Sequence, residues 1–156
     1  MRRLFLALLC ALPLLGACGD TTGPSDPDLT TVNFAPGLNV DISTFTRVND
    51  ALYIKDIEVG EDSLVRANRV IAVRYQGWLA DGTRFDHNQA PRALFNLVLG
   101  QRRVIEGWEQ GIPGMRVGGK RLLVIAPSLG YGTTANGPIP ANSVLVFEVE
   151  VVSQST

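Results

Sequence analysis

The sequence predicts an α+β fold in which an antiparallel sheet of about five strands surrounds a single short helix. Apolar and polar residues alternate over several segments, which is the period of half-buried strands. Only the segment at about 104–110 carries apolar residues at helical spacing, and its helix would cover one face of the sheet. With 156 residues, 46% hydrophobic and 19% charged, the chain can build one globular core.

Five segments carry the strand signal. In the segments at 69–79, 94–100 and 143–151, the residues expected to share one face are Ile71, Val73 and Tyr75, then Phe95, Leu97 and Leu99, then Leu145, Phe147, Val149 and Val151. The run KRLLVIA at 120–126 predicts a further apolar strand, and LYIKDIEVG at 52–60 predicts another. Gly82 in ADGT indicates a tight turn.

The helix is predicted from Val104, Ile105, Trp108 and Ile112, which fall at i, i+1, i+4 and i+8 on one face of about two turns. Glycines 107, 111, 114, 118 and 119 bracket the helix and its exit loop. The apolar face that contains the tryptophan is either core or the floor of a pocket. This segment alone leaves both interpretations open.

Residues 1–17 are predicted to be an export signal. Arg2 and Arg3 precede an apolar run, and small residues precede Cys18. A transmembrane anchor is the alternative, but the run is shorter than the roughly 20 residues of a spanning helix and contains Pro13. The tetrapeptide LGAC resembles the lipobox of bacterial lipoproteins, which makes Cys18 the expected lipid attachment site; the alternative is a secreted protein with a spare thiol.

Three further segments follow the signal. Residues 18–31 are rich in turn-forming and small polar residues and are expected to be a flexible tether. Residues 32–45 are expected to be an ordered lead-in extension, which either packs on the domain or lengthens the tether. The compact domain is predicted over 46–156.

The residue content excludes several kinds of chemistry. Cys10 would leave with the signal and Cys18 would be acylated, so the mature domain would hold no disulfide, thiol nucleophile or thiolate metal site. Cleavage removes Arg2 and Arg3 and no acidic residue, so 14 basic and 15 acidic residues become 12 and 15, a net charge of −3. A faintly acidic domain without a basic cluster is not expected to bind nucleic acid.

Other catalytic and ligand-binding motifs are incomplete. His87 is the single histidine and lies in a polar stretch that predicts a solvated loop, so a His-dependent nucleophile is not expected. Asp81, Asp86 and Asn88 lack calcium-loop spacing, and no metal site or cofactor is predicted. The segment 114–121 matches part of a phosphate-binding loop, but Arg121 replaces its Ser or Thr and the helix precedes the strand.

Aromatic residues are spread over the whole domain, and each taken singly is more often core than ligand site. From about residue 52 to 152, however, the sequence resembles the FKBP-type peptidyl-prolyl cis-trans isomerases. The resemblance lies in VRYQGWLADGTRFD, in FNLVLGQRRVIEGWEQGIPGMRVGGKRLLVIAPSLGYG and in IPANSVLVFEVEV. It implies an FKBP-like fold, a twisted antiparallel half-barrel wrapped around one short helix.

The resemblance also implies a proline pocket with Trp108 as its floor. The residues expected to bind substrate with it are Tyr75, Phe85, Phe95, Val104, Ile139 and Phe147. Three further positions match the catalytic set: the carboxylate of Asp86, the hydroxyl of Tyr131 and the backbone N–H of Ile105. The sequence departs from the family pattern at Arg103, which stands where Glu or Gln is frequent. It also departs in the loop after Asp86: in the family an arginine helps to hold the aspartate, and here Arg92 lies close in sequence but not in the familiar arrangement.

The resemblance implies a non-covalent prolyl isomerase without a cofactor. Together with the signal, it predicts a lipid-anchored bacterial protein in the periplasm or at the cell surface, which acts on proline-containing unfolded or folding polypeptides. The family's macrolide inhibitors are candidate ligands, and the membrane is a partner through Cys18. The alternative function is a tethered module that binds proline-containing segments, or a folding chaperone, with little turnover.

Overall fold

The computed structural model describes residues 25–155, which form one antiparallel sheet and a short helix. The seven strands are β1 Thr46–Asn49, β2 Leu52–Glu58, β3 Val70–Leu79, β4 Arg84–Asn88, β5 Phe95–Val98, β6 Lys120–Ile125 and β7 Leu145–Gln154. The α-helix, α1, spans Glu106–Gly111, and 3-10 turns occur at Pro36–Leu38, Ile42–Thr44 and Pro127–Leu129. Over residues 25–155, no helix has the length and apolar character needed to cross a membrane.

The strand order is β1-β2-β6-β7-β3-β4, and β5 also pairs with β3. Strand β3 lies along β7 on one side, while its other side pairs first with β5 and then with β4. The α+β prediction of an antiparallel sheet around one short helix is therefore confirmed. The sheet of the described residues is larger than predicted, because it has seven strands rather than about five.

The two additional strands lack a strong apolar period. His87 was expected in a solvated loop, but it lies in β4, half-buried and opposite Gln76. The hydrogen bonds of β3 extend this hairpin through the turn at 80–83, so β4 forms although Phe85 is its single apolar residue. Strand β1 is similarly short and pairs with β2 alone.

Helix α1 packs very close to the sheet because two of its glycines face large side chains. A Cβ atom added to Gly107 would lie 2.6 Å from Cγ2 of Ile125. Gly111 faces Leu123 in the same way. The missing side chains let the helix seat Trp108 and Ile112 in the core, where they are 4% and 0% exposed. The two glycines therefore determine how closely the helix approaches the sheet.

The opposite face of the sheet carries a second core. Its buried residues are Leu29, Leu122, Val124, Ala126, Val144 and Val146. Six residues of the lead-in extension pack against them, namely Val32, Phe34, Leu38, Val40, Ile42 and Phe45. The extension 32–45 therefore covers the domain, and β6 is apolar on both faces because both faces are buried.

The end of the segment expected to be a flexible tether is also packed on the domain. Leu29 is 1% exposed, and the carboxylate of Asp26 accepts a hydrogen bond from the backbone N–H of Ser128 at 3.0 Å. This contact could not be predicted, because one buried leucine among turn-forming residues leaves no apolar period in the sequence. Residues 18–24 of the expected tether, and residues 1–17, lie outside the described residues.

Arg121 joins three elements of the fold. Its side chain is nearly buried, and Nε and Nη2 donate to the two carboxylate oxygens of Asp56 on β2 at 2.6 and 3.0 Å. Nη1 donates to the carbonyl oxygen of Gly111, at the end of α1, at 2.7 Å. The arginine that ends the glycine-rich segment is thus a structural link between sheet and helix.

Candidate active site

A cavity of about 380 Å³ opens where α1 meets the inner face of the sheet. Its lining comprises Tyr75, Asp86, Phe95, Arg102, Arg103, Val104, Ile105, Trp108, Tyr131 and Phe147. Eight of the ten residues predicted from the sequence are thus brought together, from four strands, the helix and two loops. Phe85 and Ile139 are absent from the lining, and Arg102 and Arg103 were not predicted.

Trp108 forms the centre of the aromatic group. Its ring centroid lies 5.2 Å from that of Tyr75 and 5.3 Å from that of Phe147, with interplanar angles of 80° and 85°. The centroid of Phe95 is 6.4 Å away. These edge-to-face contacts with three neighbouring rings fix the position of the indole. The helix face that contains Trp108 is therefore both core and cavity wall.

Gly77 makes room for the aromatic rings. It lies opposite Phe147 in the register of β3 and β7. A Cβ atom at this position would lie 2.7 Å from a ring carbon of Phe147 and 2.8 Å from a ring carbon of Phe85. Any other residue would push these two rings out of place.

The two predicted residues that do not line the cavity belong to the main core or pack against it. The Phe85 ring packs edge-on against Phe147 with centroids 5.4 Å apart, so it lies behind the wall. Ile139 is 4% exposed in the main core, within a tight loop closed by backbone hydrogen bonds with Asn136. The sequence could not distinguish a wall from the layer behind it, because both are apolar.

Asp86 is held by a tyrosine rather than by an arginine. The Tyr75 hydroxyl donates to Oδ2 of Asp86 at 2.8 Å, and the backbone N–H of His87 donates to Oδ1 at 2.7 Å. Arg92 instead donates to the carbonyl oxygen of His87 at 3.0 Å and forms no ion pair with Asp86. The carboxylate is therefore fixed at the cavity edge, and no residue of 25–155 forms an ion pair with it.

Several polar groups of the lining residues have no partner within residues 25–155, among them the Trp108 indole N–H and the guanidinium groups of Arg102 and Arg103. Two more are neutral donors, the Tyr131 hydroxyl and the backbone N–H of Ile105, which precedes α1. Both are hydrogen-bond donors in an aromatic cavity, where an unmade bond is costly. They are accordingly suited to donate to carbonyl oxygens of a bound molecule.

Both tyrosine hydroxyls of the cavity resist ionisation. Burial raises the pKa of Tyr75, and the hydrogen bond to the Asp86 carboxylate raises it further. Burial also raises the pKa of Tyr131, and the negative charge of Asp86 adds to this effect. Since an ordinary tyrosine pKa is about 10, both groups stay protonated as donors at neutral pH.

We expect the free energy of unfolding to fall above pH 10, and to fall less steeply in Tyr75→Phe. The unfolded phenol ionises near its ordinary pKa of about 10, while the folded phenol keeps its proton, so rising pH favours the unfolded chain. Urea unfolding at several values between pH 8 and 11 would measure both slopes. Equal slopes in the two proteins would contradict this assignment.

Acidic and histidine side chains do not gather in one place in the part of the chain that is described. No group of three or more His, Cys, Asp or Glu side chains lies close enough there to hold a metal ion. His87 is also absent from the cavity lining. The cavity lining thus combines hydrogen-bond donors, one carboxylate, two arginines and aromatic walls.

The fold and cavity describe a class of domain in which an open antiparallel sheet and one short helix enclose an aromatic binding site. A family model of FKBP-type peptidyl-prolyl cis-trans isomerases matches residues 61–152. The chain therefore belongs to the FKBP-type peptidyl-prolyl cis-trans isomerase family, and the enzyme class predicted from its sequence is confirmed.

Relatives and solved structures agree with the family. The chain is 41% identical over 103 residues to an FK506-binding protein of Neisseria meningitidis serogroup A, covering 65% of this chain and 94% of that protein. It is 42% identical over 105 residues to FK506-binding protein 1A of Neurospora crassa, covering 66% and 88%. The crystal structure of AtFKBP13 superposes with a TM-score of 0.66 and 32% identity, covering 71% of this chain and 98% of that one. FkpA from Escherichia coli gives the same TM-score and identity, covering 72% and 52%.

Proposed function

We propose that the aromatic cavity binds the proline ring of X-Pro segments and accelerates their cis-trans isomerisation in exported polypeptides. The observation that carries this proposal is the meeting of an aromatic floor and walls with two unpartnered donors in one cavity. A pyrrolidine ring is apolar and compact, so it suits contact with Trp108, Tyr75 and Phe147. The peptide carbonyl oxygens on either side of the proline ring lose water on binding, and the two donors of the cavity can replace the lost hydrogen bonds.

The proposed chemistry requires no nucleophile. Rotation about a prolyl amide has a barrier of about 20 kcal/mol, because resonance gives the C–N bond partial double-bond character. The planar amide separates charge between oxygen and nitrogen, and the twisted amide separates less. An aromatic cavity that removes water from the carbonyl therefore disfavours the planar form relative to the twisted transition state.

Three polar groups would orient the peptide. The Tyr131 hydroxyl and the Ile105 N–H would donate to substrate carbonyl oxygens. Asp86 would set the electrostatic potential of the cavity, since its carboxylate accepts a hydrogen bond from Tyr75 and has no ion-pair partner among the described residues. These roles agree with the positions that the family resemblance assigns. Phe85 and Ile139 would support the binding walls from behind.

We also propose that the protein is exported and anchored to a bacterial membrane by lipid on Cys18. The signal-like residues 1–17 and the LGAC tetrapeptide support this, although both lie outside the described residues. Slow prolyl isomerisation limits folding for tens of seconds, so a catalyst held where exported chains emerge would serve their folding.

Macrolides such as FK506 are proposed as competing ligands of the same cavity. Two observations support this: the relatives described above are FK506-binding proteins, and the chain belongs to the same family. Because one cavity would serve both, a macrolide that binds should inhibit isomerisation.

The proposal is tested by measuring X-Pro exchange in a short peptide by NMR, with the chain that starts at Asp20. We expect clear acceleration, and in Tyr131→Phe a loss of about tenfold in kcat/KM, because one hydrogen bond to the transition state is worth about 1–1.5 kcal/mol. Tyr53→Phe is the matched control: its ring packs on the outer face of the sheet, so its activity should equal that of the parent.

Two results would contradict the proposal. A folded protein that gives no acceleration would be a module that binds proline-containing segments, and the site would lack catalysis. Full activity in Tyr131→Phe would remove the hydroxyl from the mechanism.

A further inference from the structure

We propose that Arg102 and Arg103 make this isomerase selective for prolyl bonds flanked by an acidic residue. This inference rests on the proposed function, because it assigns a substrate preference to the same cavity. Both arginines line the cavity with Asp86, and these three are the charged residues of its lining. The cavity mouth is therefore positive, although the chain as a whole carries a net charge of −1.

The backbone explains how two consecutive arginines reach one cavity. Neighbouring side chains of an extended segment point to opposite sides. Arg102 has φ of 52°, in the left-handed region that disfavours residues with a Cβ. This turn just before Val104 brings residues 102 and 103 to the same lining.

Both arginines are available to a ligand. Within residues 25–155, neither forms a hydrogen bond or an ion pair, and both are exposed. The Asp86 carboxylate, in contrast, already accepts two hydrogen bonds, from Tyr75 and His87. Two guanidinium groups against one carboxylate give the lining a net charge of +1, and the unpaired guanidinium groups would attract a carboxylate of the substrate.

A second cavity shows where the residue next to proline can lie. It has a volume of about 240 Å³, runs along the edge strand β5, and shares Phe95, Arg103 and Val104 with the first. Phe95 is 37% exposed and Val70, on its floor, 45%. A peptide that places its proline against Trp108 can extend along this groove, past Arg103. A flanking Glu or Asp would then meet the guanidinium groups.

The test measures kcat/KM by NMR exchange for two sets of three otherwise identical peptides. The variable residue is Glu, Gln or Lys, and it directly precedes proline in one set and directly follows it in the other. The full chain is used in detergent micelles. We expect the Glu peptide to exceed the Gln peptide about fivefold in at least one position, and this ratio to shrink at high salt. In Arg102→Glu/Arg103→Glu, the Lys peptide should become the preferred one.

A variant of equal charge change separates local from general electrostatics. Arg47→Glu/Arg84→Glu alters two exposed arginines that do not line the cavity, so the wild-type Glu to Gln ratio should be retained. Equal kcat/KM for Glu and Gln peptides in the wild type would overturn this inference and leave the isomerase intact. Failure to accelerate any peptide would overturn the proposed function itself. A ratio that shifts equally in both double variants would also overturn the inference.

Discussion

Replacing Trp108 with alanine should lower kcat/KM for prolyl isomerisation by about tenfold or more and reduce the free energy of unfolding by about 3–5 kcal/mol. The indole is 4% exposed and meets the rings of Tyr75, Phe95 and Phe147 edge-on. Its removal would leave a void under the substrate and release three rings that the cavity needs in place. Peptide exchange by NMR and urea unfolding would measure the two effects.

The other tryptophan supplies a matched control. Trp78 lies on β3 but faces the outer side of the sheet, where it lines a different cavity with Leu122 and Val146. Trp78→Ala should therefore destabilise the fold while kcat/KM of the folded protein is retained. Trp108→Phe keeps a ring at the floor of the cavity. It should therefore fold and allow the activity measurement even if the alanine variant is too unstable to purify. Full activity in both Trp108 variants would show that the indole is core alone.

Replacing Cys18 with serine should move the full-length protein from the membrane fraction to the soluble fraction of a bacterial host. A lipobox cysteine receives several acyl chains, and each buried methylene contributes about 0.8 kcal/mol, so anchoring is close to all-or-none. Labelling with radioactive palmitate and the mass of the purified protein would measure acylation directly. Cys10→Ser is the matched control, because that cysteine would be removed with the signal.

Two outcomes would contradict the lipid anchor. A Cys18→Ser protein that stays in the membrane with its N-terminus intact would show that the apolar run itself is the anchor. A wild-type protein recovered without lipid would be secreted with a spare thiol.

The sequence predicted most of the elements that position the site. Strand β7 alternates apolar and polar residues from Phe147 to Val151, and the helical spacing around Trp108 occurs once. Such periodic patterns arise because one face of the strand or helix is buried, so they can be detected in a single sequence. Strand β4 and the docked segment 25–31 were missed, because their order comes from hydrogen bonds to β3 and from the single buried side chain of Leu29.

What the sequence determined by itself is the composition of the site: its aromatic residues, its carboxylate and the lack of a thiol in the predicted domain. Tertiary structure alone decided the arrangement. It places Tyr75 against Asp86, moves Phe85 behind Phe147, and turns Arg102 and Arg103 to one mouth. The physical reason is that these contacts join positions far apart in the chain, or depend on one backbone angle, and neither leaves a period in the sequence.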